Sequence, residues 1–238
     1  MGVIAGVKSV VTDEALVLKR RGQIVSAAIE LFGHQGYYRT TIQEVARKAG
    51  VSAGLIYQYV NDKEDVLLLV LLRVLDLYRV EVPRALEGLT DPLERWWATV
   101  YAFCRVVDEH RVATILAYRS TKSLPHDRRT TVLQAEVETN EFIADAVREC
   151  VKAGLFRSVN VTLAVYQMLT FAHAWALKHW RLERLCTFDD YVASGFDMFS
   201  HAFFTPEGWR HYREHLADRM PRRAGEPPRP EGEARHRE

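Results

Sequence analysis

Cysteine is scarce: Cys104, Cys150 and Cys186 are the only three in 238 residues. Their odd number, wide spacing and lack of a C-x-x-C pair exclude a disulfide framework and suit a reducing compartment. Long apolar runs are missing too. The longest aliphatic stretch, Val66 to Leu72, is seven residues and ends at Arg73, well short of the roughly 20 needed to cross a bilayer. The N-terminus, MGVIAGVKSVVTDE, lacks a charged n-region ahead of a long apolar stretch, so no signal peptide is read there and a cytoplasmic location is expected. Net charge is only +1, with 32 Lys and Arg against 31 Asp and Glu. By sum alone that argues against a polyanion partner, although the distribution of charge matters more than its total. Apolar residues, in contrast, are plentiful at 48%, which excludes disorder for most of the chain.

The apolar residues recur with helical spacing almost everywhere. Ile24, Ala28, Leu31 and Phe32 follow the 3.6-residue period, as do Val100, Cys104 and Val107. No stretch alternates cleanly between turn signals, so no strand is predicted and the fold class is all-α. Gly33, Gly36, Gly50, Gly88 with Asp91-Pro92, Pro125 and Gly154 punctuate the chain. They predict a three-helix unit over about 14–62 and a bundle over 63–204, with a long helix at about 62–87 that Pro83 should kink or end. Further helices are predicted near 92–109, 111–122, 126–153, 160–183 and 188–204. Five of the eight prolines follow residue 205 among Arg and Glu, so 205–238 reads as a short helix at most and then a disordered charged tail.

The informative stretch is Thr40 to Lys63. Thr41 and Glu44 have the spacing of a capping box, which starts a helix. Gly50 ends that helix, and Ser52 is a strong N-cap for a second short helix through Val60. Two short helices joined so tightly, with small Ala46, Ala49 and Gly50 at their crossing, form a helix-turn-helix. The second helix of that motif enters the DNA major groove. Its outward face carries Ser52, Ala53, Gly54, Tyr57 and Gln58. Gln58 can pair with adenine or reach a phosphate. Tyr57, Tyr59 and Lys63 fall where the phosphate backbone should pass, and Thr40 and Thr41 lie at a helix N-terminus suited to a phosphate.

At these residues the chain resembles the TetR family of bacterial transcriptional repressors. The match takes in the upstream helix Ile24–Phe32, Gly36-Tyr37, Thr40-Thr41, Val45-Ala46, Ala49-Gly50-Val51-Ser52, Gly54, Tyr57, Tyr59 and Lys63. It departs from the family at Val60, where Phe is usual. The resemblance covers about 19–70 closely; beyond that, length and helicity match more than residues do. It implies a homodimer that reads a palindromic double-stranded DNA operator and is released by a small hydrophobic effector.

Other readings of the same residues are weaker. Gly50-Val51-Ser52-Ala53-Gly54 satisfies G-x-S-x-G, but a hydrolase elbow needs a strand before the serine, and here a capped helix with Arg47 and Lys48 precedes it. No catalytic set is therefore assigned. No metal or cofactor site is assigned either: His173 and His179 fall about 240° apart around a helix, and no P-loop or H-E-x-x-H is present. A DNA-binding protein with an architectural role and no ligand is the remaining alternative.

Residues 91–204 are rich in aromatics, which are first of all core. The resemblance adds a small-molecule pocket, for which Trp97, Tyr101, Cys104, Tyr118, Tyr166 and His173 are the candidates. Tyr118-Arg119-Ser120-Thr121-Lys122-Ser123-Leu124-Pro125 is similar to a segment of relatives that sense acyl or steroid thioesters of coenzyme A. That likeness makes an acyl-CoA the favoured effector, with Arg119, Lys122, Arg128 and Arg129 facing its phosphates. The family pairs through its last two helices, here about 160–183 and 188–204. Trp175 and the run Phe188, Tyr191, Phe196 and Phe199 are the candidate dimer residues. Two recognition helices would then lie about 34–36 Å apart on the operator. By count, residues 1–64 carry eight Lys or Arg against six Asp or Glu, a slight excess that predicts modest nonspecific affinity.

Overall fold

The computed structural model describes Val7 and residues 9–217; the remainder of the charged tail lies outside the described residues. Among the described residues the architecture is entirely helical, with one isolated bridge between Phe156 and Phe204. The N-terminal unit consists of α1 (Glu14–Gln35), α2 (Ile42–Lys48) and α3 (Ala53–Ile56). Each helix begins on a side-chain cap: Asp13 accepts from Leu16 N–H, Thr41 and Glu44 form the reciprocal capping box, and Ser52 accepts from Leu55 N–H. Those caps satisfy donors that a helix start would otherwise leave unpaired. Gly36 and Gly50 have φ of 86° and 69°, a region that only glycine enters at little cost.

The bundle follows as α4 (Lys63–Ala85), α5 (Pro92–Glu109), α6 (Arg111–Ser120), α7 (His126–Lys152), α8 (Val161–Leu177), α9 (His179–Leu182) and α10 (Phe188–Phe203). A 3-10 turn, Thr121–Ser123, separates α6 from α7. Pro83 sits in the last turn of α4, which closes two residues later. The helix expected over 160–183 breaks at Lys178, where the chain bends into the short α9. Gly33 lies inside α1 rather than closing it, and its bare Cα lets α6 approach: a Cβ there would run into Val112.

The short helix expected after residue 205 is present, and the ordered chain runs on through residue 217. Thr205 caps α11 (Pro206–His211), and a π-helical turn, Tyr212–Leu216, follows. Thr205 N–H donates to Leu155 O at 3.0 Å and Arg157 N–H to Phe203 O at 2.8 Å, which ties this segment to the α7–α8 connection. Leu216 is fully buried. Of the five prolines counted there, only Pro206 lies in this segment, at the first position of α11, where a proline costs the helix no hydrogen bond; the other four lie outside the described residues.

The α10 phenylalanines also differ from expectation. Phe196, Phe199 and Phe203 are buried within their own chain, Phe196 against Trp96 and Trp97 and Phe199 against Phe171. Spacing identified an apolar stripe correctly, but its partner is the bundle core. What the last helices leave exposed is another set: Leu163 and Tyr166 on α8, Trp180 on α9, Leu185, and Met198 on α10.

Candidate functional site

The α2–turn–α3 motif presents a compact exposed face. Thr41, Gln43, Arg47, Ser52, Ala53, Gly54, Tyr57 and Gln58 are exposed, while Ile42, Val45, Ala46 and Ile56 are buried beneath them. Gln43 was not singled out from the sequence, although its position one residue past the buried Ile42 on a seven-residue helix marks it as outward. The second helix is shorter than expected: it ends at Ile56, not Val60. Gln58 and Tyr59 N–H groups bond three residues back, to Leu55 and Ile56. Their carbonyls are taken by other segments, with Val10 N–H donating to Gln58 O at 3.0 Å and Arg21 Nε to Tyr59 O at 3.1 Å.

Five of the expected DNA contacts are engaged within the protein, Thr41 among them through its capping box with Glu44. Thr40 is buried and its hydroxyl donates to Gly36 O at 2.9 Å. The Ser52 hydroxyl is held by the α3 cap, and the Tyr59 side chain is buried. Lys63 Nζ donates to the carbonyls of Tyr37 and Thr40 at 3.1 Å, and lies 4.5 Å from the Tyr37 ring centroid. An ammonium so engaged pins the α1–α2 connection to the start of α4. Lys63→Ala should therefore lower unfolding free energy by about 1–3 kcal/mol in urea denaturation. A salt slope of DNA binding reduced by about one, with stability unchanged, would instead assign Lys63 to the phosphate backbone.

A second knot of charge links this unit to the bundle. Asp62 caps α4, and Arg128 of α7 donates to its two carboxylate oxygens at 2.7 and 2.8 Å. Arg128 also pairs at 2.9 Å with Asp65, which is fully buried and accepts from Asn61 N–H and Nδ2. Burial holds the Arg21 guanidinium below its usual pKa and Asp65 opposes that shift. Arg128, expected at cofactor phosphates, is thus committed to α4. The Tyr38 and Ser123 hydroxyls, 2.7 Å apart, make a further cross-contact.

The bundle encloses a cavity of about 230 Å³ walled by α4, α6, α7 and α8. Leu71, Val74 and Leu75 of α4, with Val132 and Leu169, form its apolar wall. Tyr78, Tyr118, Glu136, Asn140 and His173 supply polar groups. Of the candidate effector residues, Tyr118 and His173 line this cavity. Their side chains meet, Tyr118 Oη lying 2.9 Å from His173 Nδ1. Trp97 packs on Phe196 and Tyr101, the Tyr101 hydroxyl donates to Asp189 at 3.3 Å, and Cys104 is wholly buried. Tyr166, Arg119 and Lys122 are exposed. Trp175, a candidate dimer residue, is buried and donates from Nε1 to Asp108 at 2.7 Å; Phe188 and Tyr191 pack beside it half-buried. The cavity residues Glu136, Thr139 and Asn140 escaped notice in the sequence. The available signal was their place at helical spacing among Val132, Ala135 and Ile143, polar residues on the buried stripe of α7.

Burial drives the His173 imidazole down to about 4, so it is neutral near pH 7. The unfolded chain binds its proton near the ordinary 6.5. Between those values the unfolded state holds more protons, so stability falls as pH drops from about 6.5 towards 4. At pH 5 the loss from this group is about 2 kcal/mol. Burial raises Glu136, which acts in the opposite sense, and lowers His110, which acts in the same one. The comparison is therefore between proteins: His173→Gln should lose about 2 kcal/mol less than the unsubstituted chain from pH 7 to pH 5. Parallel urea curves at the two pH values check this.

Comparison with known proteins agrees with this geometry. Residues 24–70 match the family described as bacterial regulatory proteins, tetR family, and residues 89–180 match the tetracyclin repressor-like C-terminal domain. The HTH-type transcriptional regulator HbdR of Aromatoleum sp. (strain CIB) is 51% identical over 208 residues, covering 87% of this chain and 91% of HbdR. Among solved structures, the TetR family regulator PfmR from Thermus thermophilus superposes with a TM-score of 0.66 at 24% identity, over 75% of this chain and 97% of PfmR. AibR in complex with isovaleryl coenzyme A and operator DNA gives 0.64 at 20% identity, over 78% and 98%. The relatives are transcriptional regulators rather than enzymes, and no helix among the described residues is long and apolar enough to cross a membrane. With its N-terminal helix-turn-helix and C-terminal helical domain, the chain belongs to the TetR family of DNA-binding transcriptional regulators.

Proposed function

We propose that this regulator is a repressor that binds a palindromic operator as a homodimer and leaves it when a small, largely apolar effector fills the bundle cavity. The observation that carries the reading is the path of α4. Its first turn holds Lys63, Asp62 and Asp65, the groups that tie it to the DNA-binding unit and to α7. Two turns later the same helix supplies Leu71, Val74, Leu75 and Tyr78 to the cavity. A ligand that spreads α4, α6 and α7 therefore bears on the helix-turn-helix through a continuous rigid element. Ligand and DNA each favour a different state, and their affinities are reciprocally linked.

An acyl-CoA thioester is the effector class we favour. The solved AibR relative is bound to isovaleryl coenzyme A. A cavity of about 230 Å³ accommodates an acyl group and leaves the nucleotide outside. Exposed Arg119 and Lys122 adjoin the lining residues Tyr118 and Thr121 and would meet its phosphates. Pairing uses the outer faces of α8 and α10, where Leu163, Tyr166 and Met198 are exposed, because an apolar set of that kind is best buried in a symmetric interface.

The test begins with duplexes selected by the full chain from a random-sequence pool. The proposal expects a two-fold symmetric sequence bound by two chains, and its release by medium- or long-chain acyl-coenzyme A but not by the free acids. Asymmetric sites bound by one chain would overturn the dimer. Binding indifferent to the whole acyl-CoA panel would remove that effector class and favour the architectural alternative.

A further inference from the structure

The second helix of the DNA-binding motif is too short to hold its own end. It spans four residues, Ala53–Ile56, far fewer than a helix needs to be stable by itself. The carbonyls of the turn that follows it have no further helical N–H to meet. The N-terminal segment of the chain supplies the missing donors. Val10 N–H and the Ser9 hydroxyl both donate to Gln58 O, at 3.0 and 2.9 Å, the latter across 49 residues of sequence. Ser9 Oγ accepts in turn from Val11 N–H at 3.1 Å, which fixes the bend of the segment. Arg21 of α1 closes the arrangement, Nε donating to Tyr59 O at 3.1 Å and Nη2 to Val7 O at 2.7 Å. Val7, Arg21 and Tyr59 are buried, whereas the Val10 residue is 80% exposed. Val10 is therefore held by its backbone and not by its side chain. The Gln58 side chain, with Tyr57 beside it, is exposed on the DNA-binding face.

We propose that Val7, Ser9 and Val10 form a strap that caps the end of α3 and so positions Tyr57 and Gln58 for DNA. They are positioning residues: the strap acts on the main chain of Gln58, and only the side chains it steadies meet the duplex. Apparent affinity falls in proportion to the fraction of molecules whose binding residues are in place. A frayed end of α3 carries Gln58 away from its position, and the strap opposes that fraying by tying Gln58 O to the segment that Arg21 holds on α1. Two donors carry the effect, the Val10 N–H and the Ser9 hydroxyl. Losing either weakens the strap, whereas trimming the exposed Val10 side chain does not. The inference rests on the reading of the α2–α3 face as the DNA-binding surface, and it adds to that surface a segment that precedes α1 in the chain.

Equilibrium binding of full-chain variants to the selected duplex tests it. Val10→Pro removes the donor N–H and Ser9→Ala removes the hydroxyl. Each should weaken binding about two- to tenfold, the effect of one hydrogen bond. Val10→Ala and Ser9→Thr keep the donors and should bind as the unsubstituted chain does. Both losses should vanish in a background carrying Tyr57→Ala and Gln58→Ala, where the strap has no side chain left to position. Melting curves show which variants fold, and Ser9→Ala carries the test if proline at position 10 prevents folding. Unchanged affinity in Val10→Pro and Ser9→Ala would overturn the proposal. Losses that persist at full size in the double-alanine background would also overturn it, because a direct DNA contact by the segment, or a general loss of structure, acts independently of Tyr57 and Gln58. Weakening by Val10→Ala or Ser9→Thr as large as that by Val10→Pro or Ser9→Ala would overturn it in favour of side-chain packing. If the double-alanine chain binds as the unsubstituted one does, the reading of the α2–α3 face falls and the strap with it. If that chain loses affinity while the strap variants do not, the reading stands and the strap alone falls.

Discussion

Asp65→Ala is expected to lower the free energy of unfolding by about 3–5 kcal/mol, the range for removing one partner of a buried ion pair. Asp65 is fully buried, accepts two hydrogen bonds from Asn61 and faces Arg128 at 2.9 Å. It also opposes the burial penalty on Arg21, whose guanidinium holds Val7 O at 2.7 Å and Tyr59 O at 3.1 Å. Without the carboxylate, a buried guanidinium loses its compensation, and the N-terminal segment and the end of α3 lose their anchor together. Arg128→Leu should cost less, since Arg128 lies nearer solvent and its partner Asp62 is half-exposed. A double-mutant cycle of Asp65→Ala with Arg128→Leu, read by urea denaturation, should show coupling of about 0.5–3 kcal/mol. A loss below about 1 kcal/mol for Asp65→Ala would contradict the role given to this cluster.

Trp96→Ala carries the second large effect, about 3–5 kcal/mol. Trp96 is fully buried at the centre of the C-terminal core, with ring centroids 4.8 Å from Phe196, 5.0 Å from Phe156 and 6.0 Å from Phe204. Its removal opens a cavity where α5, α10 and the α7–α8 connection meet. Trp96→Phe should cost much less, because most of the ring contact survives and the indole N–H, which has no partner among the described residues, is removed. Thermal unfolding of both variants distinguishes the two outcomes. Equal losses would mean that the indole makes a bond the packing does not account for.

The parts legible in the sequence were those encoded over a few residues. Thr41 with Glu44, and Ser52, cap helices as their spacing predicted, because the capping atoms lie within three residues of the N–H groups they satisfy. The helix-turn-helix followed directly. Side-chain destinations set by distant contacts were not legible. Lys63 has the charge and position of a phosphate contact, and only the path of residues 37–40 past its ammonium shows otherwise. The phenylalanines of α10 announce an apolar face but not whether Trp96 or a second chain covers it. The cavity is the extreme case. Its wall comes from four helices spread over about a hundred residues, and the lining residues Tyr78 and Asn140 read as ordinary members of α4 and α7.

The central claim is that the exposed face of α2 and α3 reads DNA sequence. Tyr57 is 47% exposed at the end of α3, next to buried Ile56, and its side chain makes no hydrogen bond among the described residues. The direct measurement is equilibrium binding of Tyr57→Ala and of the unsubstituted chain to the selected duplex and to an unrelated duplex at one salt concentration. The account predicts a loss of about 1–3 kcal/mol, roughly five- to 150-fold, on the selected duplex, with thermal stability unchanged. Unchanged affinity for the selected duplex would contradict it.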